Sequence, residues 1–171
     1  SIMPFTVPTA PDEVKETLRK ALFGETLSYS IPSKSYDVNG TASGELVGGN
    51  ISILYSLLGS KSAIDTKNKI LFIEDLDEYL YHIDRMMISL KRCGCFDQLE
   101  GLIVGSMTKM KDNDIPWGKN ANQIIADVTK DYSFPILFHF PAGHIQDNNA
   151  LIFGKQVSLE LNKETSKLTF E

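Results

Sequence analysis

Three short apolar runs separated by two amphipathic stretches constrain this chain more than anything else in it. KILFIED (69–75), LEGLIVGSMT (99–108) and FPILFHF (134–140) have the length and uniform apolarity of buried strands. Between the first two lies LYHIDRMMISLKRCG. It places Ile83, Met86, Met87 and Leu90 on one helical face and stops at Gly94. Before the third run, polar KDNDIPWGKN reads as a loop and NANQIIADVTKDY as a helix. Strand–helix–strand–helix–strand is the pattern of parallel strands joined by helical crossovers, so an α/β fold is expected.

The flanks read differently. TAPDEVKETLRKALFG predicts a helix with Val14, Leu18, Ala21 and Leu22 on one face, Asp12 and Glu13 at its start and Gly24 at its end. Residues 25–47 look extended, interrupted at Pro32 and at Asn39-Gly40, a hairpin-type turn pair. ISILYSLLGS then predicts a short helix capped by Asn50, with Ile51, Leu54, Leu57 and Leu58 inward and Gly59 closing it. The tail QVSLELNKETSKLTFE alternates apolar and polar residues around a polar turn, as a hairpin does. The expected architecture is one domain over residues 1–171: a mixed sheet with parallel strands, flanking helices and hairpins at both ends.

Composition removes several function classes. With 171 residues, a net charge of −5 and lysines scattered among acids, there is no concentrated basic face for nucleic acid. No apolar run reaches the ~20 residues that span a bilayer. The opening SIMPFTVPTAPDE has neither the basic nor the apolar part of a secretory signal. Cys93 and Cys95 are too close in sequence for ordinary disulfide geometry and read as free thiols of a reducing compartment. Together these point to the cytoplasm. The three histidines and two cysteines form no four-ligand set, so neither a metal nor another cofactor is expected. Position 1 is serine rather than methionine, so the chain is expected to be a piece of a longer protein.

Three places carry more chemistry than packing needs. In LFIED, alternation sends Ile70, Phe72 and Glu74 to one face of the strand and Leu71, Ile73 and Asp75 to the other. Glu74 is either a solvated strand end or an acid at the carboxyl edge of a parallel sheet, where sites in such folds collect. In PAGH, His144 follows a strand on a glycine-containing loop; it is either structural or a base awaiting a carboxylate partner. Gly48, Gly49 and Asn50 stand before a helix, where glycines serve a tight turn or a close approach to ligand. His82, within a helix, and His139, within the third apolar run, read as structural. No serine sits on a strand-to-helix elbow: Ser43, in TASGE, looks like a strand edge. Cys93 has no partner in the sequence. An acid and a base are present with nothing to activate.

Taken in order, ASGELVGGNISILYSLLGS, ILFIEDLDEYLYHIDRMMISLKRCGCFDQLEGLIVGSMT and FPILFHFPAGHIQDNNALIFG resemble the C-terminal domain of the LD-carboxypeptidases, whose pattern the microcin-immunity proteins share. The resemblance runs from about residue 42 to the end and reaches back to the Met3-Pro4-Phe5 opening. It implies a swivelling β/β/α-type domain and a serine peptidase with a Ser-Glu-His triad, cutting the bond between an L- and a D-amino acid in peptidoglycan fragments. It assigns the glutamate to Glu74 and the histidine to His144, and puts Gly48, Gly49, Asn50 and Gly143 beside them as site-shaping or substrate-binding residues. It implies a nucleophile on an N-terminal domain that this chain lacks, and a homodimer. Asp84 and Arg85 are expected to make an ion pair or a helix-to-loop contact. Two other readings stand beside this one: a microcin-immunity-like hydrolase of aminoacyl nucleotide analogues, and a binding module that kept the fold and lost the chemistry.

Overall fold

A computed structural model describes residues 7–171; the Met3-Pro4-Phe5 opening lies outside the described residues. In chain order, after a short 3-10 turn, the elements are α1 (Asp12–Phe23), β1 (Ser28–Pro32), β2 (Gly40–Asn50), α2 (Ile51–Leu57), β3 (Lys69–Leu76) and α3 (Leu80–Arg92). There follow β4 (Gly101–Thr108), α4 (Ala121–Thr129), β5 (Ile136–Leu137), β6 (Gln156–Leu161) and β7 (Thr165–Phe170). The described strands form one mixed sheet in the order β1-β7-β6-β2-β3-β4-β5. β2, β3, β4 and β5 run parallel, whereas β6, β7 and β1 are antiparallel to their neighbours. No helix among the described residues is long and apolar enough to cross a membrane.

The two kinds of strand are covered differently, as their sequences require. β3 is buried on both faces from Ile70 to Asp75, the usual condition of a parallel strand between crossovers. Leu71 and Ile73 join Leu102, Val104 and the inward faces of α2, α3 and α4 in one core. Ile70 and Phe72 join Ile103, Leu137, Phe140 and the inward residues of β6 and β7 in the other. The strand alternation in LFIED is therefore realised. In β6 the buried residues Val157, Leu159 and Leu161 alternate with less buried ones, the pattern of an antiparallel strand packed mainly on one side.

Three expectations need correction. The C-terminal hairpin forms, but the N-terminal one does not: β1 pairs with β7, and β2 pairs with β3 and β6. Asp37 decides this. Its carboxylate accepts from Lys34 N at 2.8 Å and Phe138 N at 2.7 Å, and from Ser33 and Ser166 hydroxyls, so the 33–39 loop is tied to distant strands instead of folding back on itself. The third apolar run yields a strand of only two residues. Once Phe138 N–H turns to Asp37, His139 takes a left-handed backbone (φ 57°), so it stands outside the strand and is exposed. Leu22, expected inward, is 73% exposed beside Phe23 at the free end of α1, where Val14 is the buried residue.

Candidate active site

The carboxyl ends of β2, β3 and β4 meet at one edge of the sheet, and a cleft of about 360 Å³ opens there. That is a volume typical of small-ligand sites. Glu74 reaches it from β3 and is 6% exposed. His144 reaches it from the loop after β5. Its Nδ1 lies 2.7 Å from Glu74 Oε2, across seventy positions of sequence. This contact fixes the imidazole: with Nδ1–H donating to the carboxylate, Nε2 is left as the acceptor, and it has no partner among the described residues. An imidazole so held can take a proton at Nε2 while the carboxylate stabilises the cation that forms.

Glycine makes this approach possible. A Cβ on Gly143 would lie 2.3 Å from Ser106 Oγ and 2.9 Å from Glu74 Oε2, and the backbone there has φ 122°. On β4, a Cβ on Gly105 would lie 2.6 Å from Ala142 O. At this point the β3–β4 register slips by one residue, and Ser106 N–H donates to Ala142 O at 2.9 Å. The loop carrying His144 is thus seated against the bulge, directly over Glu74. The Ser106 hydroxyl is buried there without a hydrogen-bond partner among the described residues.

Gly48, Gly49 and Asn50 prove to be the last residues of β2, leading straight into α2 with no separate turn, and they differ in role. Gly48 pairs with Phe72 so closely that a Cβ would lie 2.0 Å from the Phe72 carbonyl oxygen; it lines no part of the cleft. Gly49 faces open space and lines the cleft. Asn50 lines it too, but its side chain is occupied: Oδ1 accepts from Ile53 N as the helix cap, and Nδ2 donates to Asp75 Oδ1 at 2.8 Å. Asp75, on the opposite face of β3 from Glu74 and 2% exposed, also accepts from Ser52 N, Ser52 Oγ and Leu76 N. Its lone pairs are committed to holding the start of α2.

The remaining candidates lie away from the cleft. His82, on α3, pairs with Glu78 just before that helix, and His139 lies 3.3 Å from Asn122. Arg85 stacks over Tyr81 instead of pairing with Asp84, and both face the 109–120 loop across a separate groove. Ser43 pairs with Ser158 inside the sheet. Cys93 is exposed and Cys95 buried, both as free thiols, and burial pushes the Cys95 thiol pKa up.

Residues 43–159, which contain Glu74, His144 and every residue lining the cleft, match the LD-carboxypeptidase C-terminal domain. The chain belongs to the LD-carboxypeptidase family. Among the family's curated proteins, it is 37% identical over 133 residues to the "Probable murein peptide carboxypeptidase" of Bacillus subtilis, covering 75% of this chain and 40% of that one. It is 26% identical over 146 residues to the Microcin C7 self-immunity protein MccF of Escherichia coli, covering 81% and 42%. The muramoyltetrapeptide carboxypeptidase of Oxalobacter formigenes shares the fold, with a TM-score of 0.83 at 24% identity over 91% of this chain and 53% of that one. The chain thus spans about half or less of the length of these relatives.

Within this LD-carboxypeptidase domain, the sequence pointed to the dyad and to Gly49, Asn50 and Gly143, but not to the rest of the cleft. Phe72, Leu151 and Phe153 form an apolar wall, and Asn148 and Asn149 supply carboxamides. Phe72 could have been read from its place two residues before Glu74 on the same strand face. Asn148 and Asn149 gave no signal, because a polar loop following His144 reads equally well as plain surface.

Proposed function

We propose that this chain supplies the glutamate and histidine of a Ser-Glu-His triad in an LD-carboxypeptidase that hydrolyses L,D-peptide bonds of peptidoglycan-derived muropeptides in cell-wall recycling. The serine comes from an N-terminal domain outside this sequence. The observation that carries the reading is the 2.7 Å contact of His144 Nδ1 with a nearly buried carboxylate, at the mouth of a cleft into which Nε2 is free to act.

The steps follow from that geometry. His144 Nε2 takes the proton from the serine hydroxyl as its oxygen adds to the peptide carbonyl carbon. Glu74 stays ionised and stabilises the imidazolium. On collapse, the carbon–nitrogen bond breaks and His144 returns the proton to the leaving D-amino acid. Water, deprotonated by the same nitrogen, then hydrolyses the acyl-enzyme and releases the serine. Gly49 and Gly143 shape the approach, whereas Gly48 and Asn50 act by holding the sheet edge. Because triad members act as a unit, the chain alone is inactive. The complete enzyme is cytoplasmic and homodimeric in this reading, which the free thiols support as to compartment.

In the protein completed by its serine-bearing half, His144→Ala and Glu74→Ala are expected to cut turnover of an L,D-tetrapeptide at least ~10³-fold with the fold unchanged. Near-normal turnover by either variant would refute the assignment. The similarity to MccF supports a second reading, hydrolysis of aminoacyl nucleotide analogues. Competition between the two substrate types separates them, the muropeptide being preferred under the first. A binding module that had lost its chemistry would have no need of the buried dyad.

A further inference from the structure

Behind the dyad, an under-used acceptor stands beside an idle donor. Glu74 is 6% exposed, and a carboxylate offers about four acceptor sites. Among the described residues it receives one hydrogen bond, at Oε2 from His144 Nδ1. Ser106 Oγ is the one fully buried side-chain polar atom among the described residues that has no partner. Buried polar groups are ordinarily satisfied, because an idle one keeps the whole cost of its desolvation.

The two groups are neighbours. The place where a Cβ on Gly143 would stand is 2.3 Å from Ser106 Oγ and 2.9 Å from Glu74 Oε2, so both oxygens flank the gap that glycine leaves. The Ser106 backbone is fixed, since its N–H donates to Ala142 O at 2.9 Å and the β3–β4 register slips beside it. Its hydroxyl is not, for it swings on one torsion among staggered positions. No other titratable side chain of the cleft lining competes for the Glu74 charge except His144. β2 brings Gly49 and Asn50, and the loop after β5 brings Asn148 and Asn149. Asp147, on that loop, is exposed, and Asp75 lies on the opposite face of β3 with donors of its own.

Resting on the peptidase reading above, we infer that Ser106 is a positioning residue that acts through Glu74: its hydroxyl turns onto the carboxylate, donates to it, and so keeps His144 Nε2 free as a base. A carboxylate facing a neutral imidazole carries an uncompensated charge, whereas one facing an imidazolium is already neutralised. A neutral donor therefore stabilises the first state more than the second. With the hydroxyl in place, the balance moves towards the neutral imidazole, the form that accepts the nucleophile's proton. Without it, the bare carboxylate holds His144 as the cation and the base is occupied. Ser106 itself gains and loses no proton.

The test is the titration of the His144 ring in this chain, followed by NMR in wild type, Ser106→Ala, Glu74→Gln and the double variant. Ser106→Ala is expected to move the midpoint up by about 0.5 pH unit, roughly a threefold gain in proton affinity. Glu74→Gln should move it down, and in that background Ser106→Ala should change nothing, because the carboxylate it acts through is gone. Ser106→Cys keeps the side-chain shape but donates weakly. It should shift the midpoint the same way by less, and it decides the matter if the alanine variant does not fold. In the completed enzyme, the acid limb of the kcat/KM profile should rise by the same amount in Ser106→Ala, which a purely structural loss would not produce.

An unchanged or lowered midpoint in the folded Ser106 variant overturns the inference and leaves the dyad and the peptidase reading intact. A shift that survives in the Glu74→Gln background overturns it too, since Ser106 then acts by another route. If Glu74→Gln alone leaves the midpoint unmoved, the dyad is not coupled, and the peptidase reading falls together with the inference.

Discussion

Among the described residues, two histidine–glutamate pairs have almost the same geometry. His82 Nδ1 lies 2.6 Å from Glu78 Oε2, and His144 Nδ1 lies 2.7 Å from Glu74 Oε2. The first pair joins residues four apart at the start of a surface helix, with side chains 38% and 28% exposed. The second spans the fold, with its carboxylate 7% exposed and a cleft before its free nitrogen. The short contact alone therefore identifies nothing. What separates the pairs is the support around them. Closeness in sequence across the start of α3 suffices for the first, whereas the second needs a glycine over Glu74, a bulge in β4 and a loop held by hydrogen bonds from Ser106 N and Gly143 N.

That contrast can be tested by removing the supports one at a time. The largest effect is expected for Gly48→Ala, which drives a methyl into the β3 backbone 2.0 Å from Phe72 O and forces β2 away from the strand that carries Glu74. A loss of ~3 kcal/mol or more in urea unfolding is expected, and with it the downfield His144 ring proton of the dyad. Wild-type stability in this variant would mean that the sheet edge is more pliable than its geometry implies.

A smaller and pH-dependent effect belongs to Tyr29. Its hydroxyl donates to Ala150 O at 2.5 Å behind the site loop, and burial pushes its pKa up from 10.0 to about 12. Since the folded state holds the proton more tightly than the unfolded chain, this contribution is complete below pH ~10 and is lost as pH rises towards ~12, up to ~2 kcal/mol in all. Stability measured across that window should fall less steeply in Tyr29→Phe than in wild type. Parallel slopes would remove Tyr29 from the buttress. The smallest effect is expected at the surface pair: His82→Ala should change stability by no more than ~0.5 kcal/mol and leave turnover of the completed enzyme unaltered. A loss of turnover there would erase the distinction between the pairs.

How much of this was legible beforehand depended on range. Ile83, Met86, Met87 and Leu90 fall inward on α3 because helical periodicity is a local property, and Asn50 caps its helix for the same reason. Glu74 and Phe72 share a face of β3 because side chains alternate along any strand. By contrast, Asn39-Gly40 has the local chemistry of a hairpin turn and makes none, since Asp37 gains hydrogen bonds to segments 101 and 129 residues away. FPILFHF has the apolarity of a full strand, yet Phe138 gives its N–H to that same carboxylate and the strand stops.

By itself the sequence determined the order of strands and helices, the inward faces of the central ones and, with its family pattern, the pairing of Glu74 with His144. Those depend on local spacing and on motifs whose meaning survives outside the fold. Only the tertiary structure decided that β1 lies against β7, that Gly48 braces the sheet while Gly49 faces the cleft, and that Asn148 Oδ1 accepts from the glycine N–H that precedes His144. The physical reason is the same in each case: a hydrogen bond or a close approach has one occupant, and which residue fills it is settled by what the rest of the chain brings within about 3 Å.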